Sequence, residues 1–160
     1  MEKRPGRAFI NMNRIIVVAI TLMLAFSCKK SRVINPDPIN DVPVNITINI
    51  ALPAYAHLQD VGTHVYEPGG VKGVVIVHHT DDNFYAFDRC CSFRPGDSCS
   101  RVEVDSSVLV FRCGQTKAGV FQKCCDSKFF MNGEVFNGPA TFGLKHYQVI
   151  RSGNLLDIKN

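Results

Sequence analysis

From Val44 onward the chain is a succession of short β-forming runs separated by turn-forming residues, and this pattern restricts its fold more than any other feature. Residues 44–50 alternate apolar and polar side chains, which predicts a strand with one buried face. Turn signals follow several runs, and no window has a sustained helical period. We therefore predict an all-β domain, an antiparallel sandwich or barrel. The predicted strands cover residues 44–50, 64–66, 71–78, 84–87, 101–104, 108–112, 120–122, 134–136, 147–151 and 155–158.

The first 27 residues are typical of an export signal. Lys3, Arg4, Arg7 and Arg14 form a basic leader, and residues 15–26 are an uncharged apolar run that is short for a membrane-spanning helix. Residues 24–28, Leu-Ala-Phe-Ser-Cys, resemble the bacterial lipoprotein signal. That resemblance implies cleavage before Cys28 and acylation of its thiol and its new amino group. An ordinary signal peptide or an uncleaved apolar anchor are the alternatives, and all three place the folded part outside the cytoplasm.

Residues 28–43 are predicted to be a tether that begins at the lipidated Cys28. Pro36, Pro38 and Pro43 interrupt a polar stretch and favour an extended polyproline conformation. Acyl chains would anchor the protein to a membrane. We expect a cell-envelope location, periplasmic or on the outer membrane, and Lys29 after the lipidated cysteine favours the latter.

Charge and motifs exclude several functions. Residues 1–27 hold four basic residues and one acidic residue, so the formal charge of +4 falls to +1 once they are removed. No basic stripe interleaved with aromatic residues remains, which argues against nucleic acid as a partner.

The sequence has no nucleophile elbow and no metalloprotease helix, so we expect an electron-transfer or binding module and no catalytic residues. His78 and His79 are expected at the end of a strand, and His57, His64 and His146 at surfaces or strand edges. Length supports one domain, residues 44–160.

Six cysteines remain once Cys28 is assigned to lipid. In an exported protein such an even set favours disulfides, although the sequence does not choose among the possible pairings. No thioredoxin-type Cys-x-x-Cys and no haem-attachment Cys-x-x-Cys-His is present. A zinc site built from four of the cysteines also remains open. The six are Cys90, Cys91, Cys99, Cys113, Cys124 and Cys125.

The residues around these cysteines resemble a Rieske-type iron–sulfur domain. Residues 86–91, Ala-Phe-Asp-Arg-Cys-Cys, end a predicted strand and open a first loop, and residues 124–129, Cys-Cys-Asp-Ser-Lys-Phe, are predicted to open a second. In that family one loop carries Cys-x-His, the other carries Cys-x-x-His before Gly-Ser-x-Phe, and a Gly-Pro-Ala turn like residues 138–140 leads into a closing hairpin. The resemblance spans residues 44–160 and implies a Rieske-like fold with a small two-loop cluster-binding subdomain.

The resemblance also implies which positions would hold a [2Fe-2S] cluster. Cys91 takes the first-loop cysteine position, and Cys125 takes the second-loop histidine position. Phe93 stands at the other histidine position and Gln122 at the other cysteine position, so two of four ligands are lost. A Rieske centre needs two thiolates and two imidazoles. Cys91 and Cys125 are therefore candidates for a metal site, completed by Cys90 or Cys113, or for a disulfide.

A second pair follows from the same resemblance. Cys124 lies between the two ligand positions of the second loop, where many family members form a disulfide to the first loop, and Cys99 is the expected partner. Two hypotheses follow. The chain is a lipid-anchored electron-transfer protein with a redox partner, or it is a clusterless, disulfide-stapled binding or structural lipoprotein with an envelope protein partner.

Overall fold

The computed structural model describes residues 38–105, 107 and 109–160, which belong to one compact unit, residues 36–160. The predicted signal peptide, Cys28 and most of the predicted tether lie outside the described residues. Within those described, no helix is long and apolar enough to cross a membrane.

The described chain is almost entirely antiparallel β-structure, which confirms the predicted fold class. A six-stranded sheet has the order β1-β10-β9-β4-β3-β2, and a four-stranded sheet has the order β5-β6-β7-β8. The strands are β1 (Asn45–Asn49), β2 (His64–Glu67), β3 (Val74–His78), β4 (Phe84–Asp88), β5 (Val102–Asp105), β6 (Val110–Lys117), β7 (Val120–Phe130), β8 (Val135–Asn137), β9 (His146–Ser152) and β10 (Leu155–Lys159), with one 3-10 turn at Ala56–Gln59.

Strand β3 lies between two apolar cores, because its side chains alternate between the two faces of the sheet. Val75 and Val77 pack with the strands of the smaller sheet, and all five residues of β3 are buried. Val74 and Ile76 pack in a second core with strands β1 and β10. The first core also contains Cys91 and Cys113, so the cysteines lie between the two sheets.

The predicted turns join paired strands. Residues 68–70 connect β2 to β3, residues 81–83 lie between β3 and β4, residues 132–133 connect β7 to β8, and residues 153–154 connect β9 to β10. These four hairpins account for most of the agreement between the predicted and observed strands.

The end of the predicted tether lies against the domain. Ile39 is buried, and the Asp41 carboxylate accepts hydrogen bonds from Lys145 Nζ at 2.7 Å and Asn160 Nδ2 at 2.9 Å. The Lys145 Nζ also donates to the carbonyl of Asn40. Ordered packing therefore begins before Val44.

Strands β6 and β7 are longer than the sequence predicted. The short runs 108–112 and 120–122 extend into a hairpin whose strands reach Lys117 and run from Val120 to Phe130. The prediction that Cys124 and Cys125 open a loop is wrong, because both lie within β7, which runs without a break from Val120 to Phe130. The pairs that extend the hairpin include Gly114 with Lys123 and Gln115 with Gln122, which lack the apolar alternation that strand prediction uses.

Asp88, at the end of β4, is a fully buried carboxylate with four donors. Its oxygens accept hydrogen bonds from the backbone N–H groups of Val71, Lys72 and Cys90 and from the Tyr147 hydroxyl at 2.9 Å. A buried carboxylate is tolerated only when it is satisfied in this way. Asp88 therefore ties the β2–β3 turn, strand β9 and the first cysteine loop to one point.

We expect Asp88→Ala to lower the free energy of unfolding by about 3 kcal/mol or more, because it leaves several buried donors unpaired. Urea denaturation followed by circular dichroism measures the change. Asp60→Ala, at an exposed position, is the matched control and should have little effect. Equal stability of the two variants would contradict the role given to Asp88.

Candidate thiol site

The first cysteine loop, residues 89–101, is fixed at both of its ends. Asp88 Oδ1 accepts the Cys90 N–H at 2.7 Å, and Cys90 forms an isolated antiparallel bridge with Arg101. The Cys91 N–H donates to the Ser100 carbonyl at 3.2 Å, and the Ser100 hydroxyl donates back to the Cys91 carbonyl at 3.1 Å. Cys91 is completely buried as a result.

The second cysteine pair lies in a wide bulge of strand β7. Arg112 of β6 faces Lys128, whereas Gly114 faces Lys123, so the four residues 124–127 of β7 stand opposite the single residue Cys113. Beside the bulge, the backbones of β6 and β7 approach each other closely at Gly114. A Cβ at this position would lie 2.4 Å from the Gln122 carbonyl oxygen. The extra residues lie where the second loop was predicted and form an excursion from a continuous strand.

A disulfide joins the first loop to this bulge. Cys99 and Cys124 are bonded, with their Cα atoms 5.4 Å apart, which is the pairing that the Rieske resemblance implied. Cys125 follows directly in the bulge, and its Sγ lies 3.8 Å from Cys91 Sγ. The loop and the bulge are thus held together covalently beside Cys91 and Cys125.

Three thiols meet between these elements, and we call them the trithiol site: Cys91, Cys113 and Cys125. Their sulfurs all lie within 4.8 Å of one another, and Cys91 Sγ is 3.8 Å from Cys125 Sγ. They come from the first loop, strand β6 and the bulge. Among residues 38–105, 107 and 109–160 they form the one group of three or more metal-binding side chains with clustered ligand atoms.

Hydrogen bonds within the trithiol site shift the pKa values of Cys91 and Cys113 in opposite directions. The Cys113 thiol is the main cause that lowers the pKa of Cys91, to about 6, and the Phe93 N–H and the Cys125 and Ser127 side chains act in the same direction, against the opposing effect of burial. The same contact with Cys91, together with burial, raises the pKa of Cys113. Cys91 is therefore the thiol that loses its proton more readily than Cys113, with the resulting thiolate stabilised by neighbouring thiols.

A cleft of about 220 Å³ reaches Cys113 and Cys125 from the surface. Arg112, Lys123 and Lys128 line it. Two of these cations are paired with acids, Arg112 with Asp105 at 3.1 Å and Lys123 with Asp126 at 2.8 Å. Cys125 is the partly exposed member of the trithiol site, so small solutes can approach it through a cleft in which cations outnumber acids by one.

Of the other predicted positions, Phe93 and Gln122 carry neither a thiol nor an imidazole. Phe93 is half-buried against the first core, and Gln122 is exposed in the β6–β7 hairpin. The Cys90 thiol lies 3.6 Å from the Pro95 carbonyl oxygen and is not part of the trithiol site. A [2Fe-2S] cluster needs four ligands, and a Rieske cluster needs two imidazoles. Three thiols without an imidazole do not fit that cluster.

The histidines have other contacts in the described structure. His78 bonds Asp82 at 2.9 Å and stacks on Phe84, and His146 packs edge-on against Phe87. Burial lowers the pKa of His146. None of the five belongs to the trithiol cluster of the described residues.

Cys113 is the site residue that the sequence identified least clearly. It was one of two candidates to complete a metal set, because its local sequence contains no motif. The sequence signal that points to Cys113 is its spacing from Phe111, because residues i and i+2 of a strand face the same side of the sheet. Both residues are buried in the first core.

We expect the double variant Cys99→Ser/Cys124→Ser to lose roughly 3 kcal/mol of stability, because the bond closes a loop of about 25 residues in the unfolded chain. The melting temperature should fall by several degrees. The matched comparison is Cys91→Ser/Cys125→Ser, which leaves the bond in place. An unchanged midpoint in the first double variant would contradict a stabilising role for the bond.

Comparison with known proteins supports the fold and leaves the chemistry open. No family model and no curated protein matches the sequence. The cyanobacterial plasma membrane Rieske protein PetC3 from Synechocystis PCC 6803 is similar in structure, with a TM-score of 0.50 and 21% identity over 73% of this chain and 98% of that one. The ferredoxin of carbazole 1,9a-dioxygenase from Nocardioides aromaticivorans IC177 has a TM-score of 0.45 and 15% identity, over 74% of this chain and 97% of that one. The described domain therefore has a Rieske-like fold.

Proposed function

We propose that this chain is a lipid-anchored redox protein of the bacterial cell envelope, in which the trithiol site stands in place of the Rieske cluster. The observation that carries the proposal is the clustering of the three sulfurs within 4.8 Å at the junction of the two cysteine-bearing segments. In the matching fold this junction is where the resemblance places the cluster ligands. Electron transfer is thus proposed through thiols, with a redox protein of the envelope as partner.

The redox step that these residues support is oxidation of Cys91 and Cys125 to a disulfide. Their sulfurs are 3.8 Å apart, and a thiolate at Cys91 is the nucleophile that thiol–disulfide exchange requires. Cys125, which lines the cleft, loses its proton and attacks one sulfur of a partner disulfide, and the buried Cys91 thiolate then displaces the partner from the mixed disulfide. The pair gives up two electrons, one proton comes from Cys125 and one from solvent, and the partner leaves as a dithiol. The cleft beside Cys125 supplies access.

A clusterless binding or structural role is the second candidate. The observation that favours it is the Cys99–Cys124 bond, which holds both cysteine-bearing segments together without any metal. In that case the domain would be a stapled scaffold that binds an envelope partner, and the trithiol site would stay reduced and unreactive.

Metal and thiol analysis of the full-length protein, purified from membranes in detergent, tests the proposed redox site. We expect no acid-labile sulfide. Denatured protein should show free thiols at Cys90, Cys91, Cys113 and Cys125 after anaerobic purification in the presence of a chelator. Mild oxidation should remove two of them, and peptide mapping should find a bond between Cys91 and Cys125.

Two irons and two sulfides per chain with a visible absorption band would overturn the thiol proposal. An unchanged thiol count after mild oxidation would favour the binding role. Cys90→Ser is the matched control, because it removes a buried cysteine outside the trithiol site and should leave the oxidation of the pair unchanged.

The membrane anchor has its own test. Cys28→Ala should abolish incorporation of labelled fatty acid and should leave the signal segment uncleaved, because acylation and cleavage both depend on that thiol in the resembled signal. Ser31→Ala, three residues away, serves as the control. Labelling of the Cys28→Ala protein at the wild-type level would contradict the anchor.

A further inference from the structure

We infer that Cys91, Cys113 and Cys125 together bind one soft metal ion, of the copper(I) class, through three thiolate sulfurs. The inference rests on the proposed function, since it assigns a ligand to the same trithiol site. It goes beyond that function by replacing the two-iron cluster of the fold with a single ion.

The spacing of the sulfurs fits one ion. Sulfurs bound at about 2.3 Å from a common ion lie roughly 3.8 to 4.0 Å apart in tetrahedral or trigonal geometry. Cys91 Sγ and Cys125 Sγ are 3.8 Å apart, and Cys113 Sγ lies within 4.8 Å of both. Only a small movement of the Cys113 side chain is needed to close the other two edges of the sulfur triangle.

Backbone hydrogen bonds already support two of the ligands. The Ser127 N–H donates to Cys125 Sγ at 3.5 Å, and the Phe93 N–H donates to the Cys91 thiol. Each donor lies two residues after the cysteine it contacts. Groups that hydrogen-bond to metal ligands orient them, and bonds to sulfur tune thiolate centres. The first loop and the β7 bulge thus present their sulfurs in the same manner.

The charges at the cleft suit an anionic metal site. Three thiolates around a monovalent ion leave two negative charges, and the three cations that line the cleft exceed its two acids by one. Lys128 is the cation beyond the two ion pairs Arg112–Asp105 and Lys123–Asp126. On binding, the thiols that are still protonated release their protons to solvent, and the ion keeps its oxidation state.

The ligand set selects the class of ion. Thiolate ligands favour copper(I), zinc and iron–sulfur clusters, whereas calcium and magnesium need oxygen ligands. Structural zinc is almost always four-coordinate, and the cluster in the described residues offers three ligands. A copper(I) ion is satisfied by three sulfurs. Zinc at this site would need a fourth ligand from the cleft.

Titration of the reduced full-length protein in detergent with copper(I), against a chromophoric copper(I) chelator, tests the inference. We expect one ion per chain and X-ray absorption that shows three sulfur neighbours at about 2.3 Å. Cys113→Ser should weaken binding by at least roughly 100-fold, since even supporting residues around a metal cost about that much. Cys125→Ser, at a less buried position, gives a second reading should Cys113→Ser not fold.

Cys90→Ser is the matched control and should bind copper(I) as the wild type does, because the Cys90 thiol lies outside the cluster. Reduced wild-type protein that binds no copper(I), or a Cys113→Ser protein that binds as tightly as wild type, would overturn the single-ion site. Stronger binding of zinc than of copper(I), with an oxygen or nitrogen fourth neighbour, would overturn the copper(I) assignment. These outcomes leave thiol oxidation intact, whereas two irons with two sulfides on isolation would remove the proposed function as well.

Discussion

The buried carboxylate of Asp88 is the constraint on which the position of the cysteines depends. It accepts hydrogen bonds from the β2–β3 turn, from Tyr147 in the second core and from the N–H of Cys90. Cys91 follows directly and enters the first core, so one carboxyl group links the two cores and the start of the first loop. Because every donor is internal, the loop begins at a fixed point of the sheet.

Preorganisation distinguishes this site from metal centres that fold only around their ion. The β7 bulge brings four residues to face one, and the Cys99–Cys124 bond fixes that bulge to the first loop. Cys113, which pairs with Val102 of β5, supplies the third sulfur from β6. In small zinc domains metal binding and folding are the same event. Here the chain itself places the three sulfurs.

The sequence predicted the elements whose apolar alternation or turn chemistry is local. The strands around the glycine- and asparagine-rich turns were found, as was the all-β class, because side-chain period and backbone preference both act over a few residues. The extension of β6 and β7 was missed, since its pairs, such as Gln115 with Gln122, are polar and stabilised across strands. The trithiol site was half predicted. Cys113 joins it through register between strands, which no local pattern encodes.

The Gly138 turn is fixed by backbone contacts that do not involve the three sulfurs. A Cβ on Gly138 would lie 2.4 Å from the Asp126 carbonyl oxygen, and the Ala140 N–H two residues later bonds the Ser127 hydroxyl at 3.1 Å. The turn is thus shaped to the backbone of the bulge, and that steric demand exists whichever ion, if any, the sulfurs hold. A sequence search that recognises a Gly-Pro-Ala turn of this kind therefore detects a backbone contact. It carries no information about a cofactor.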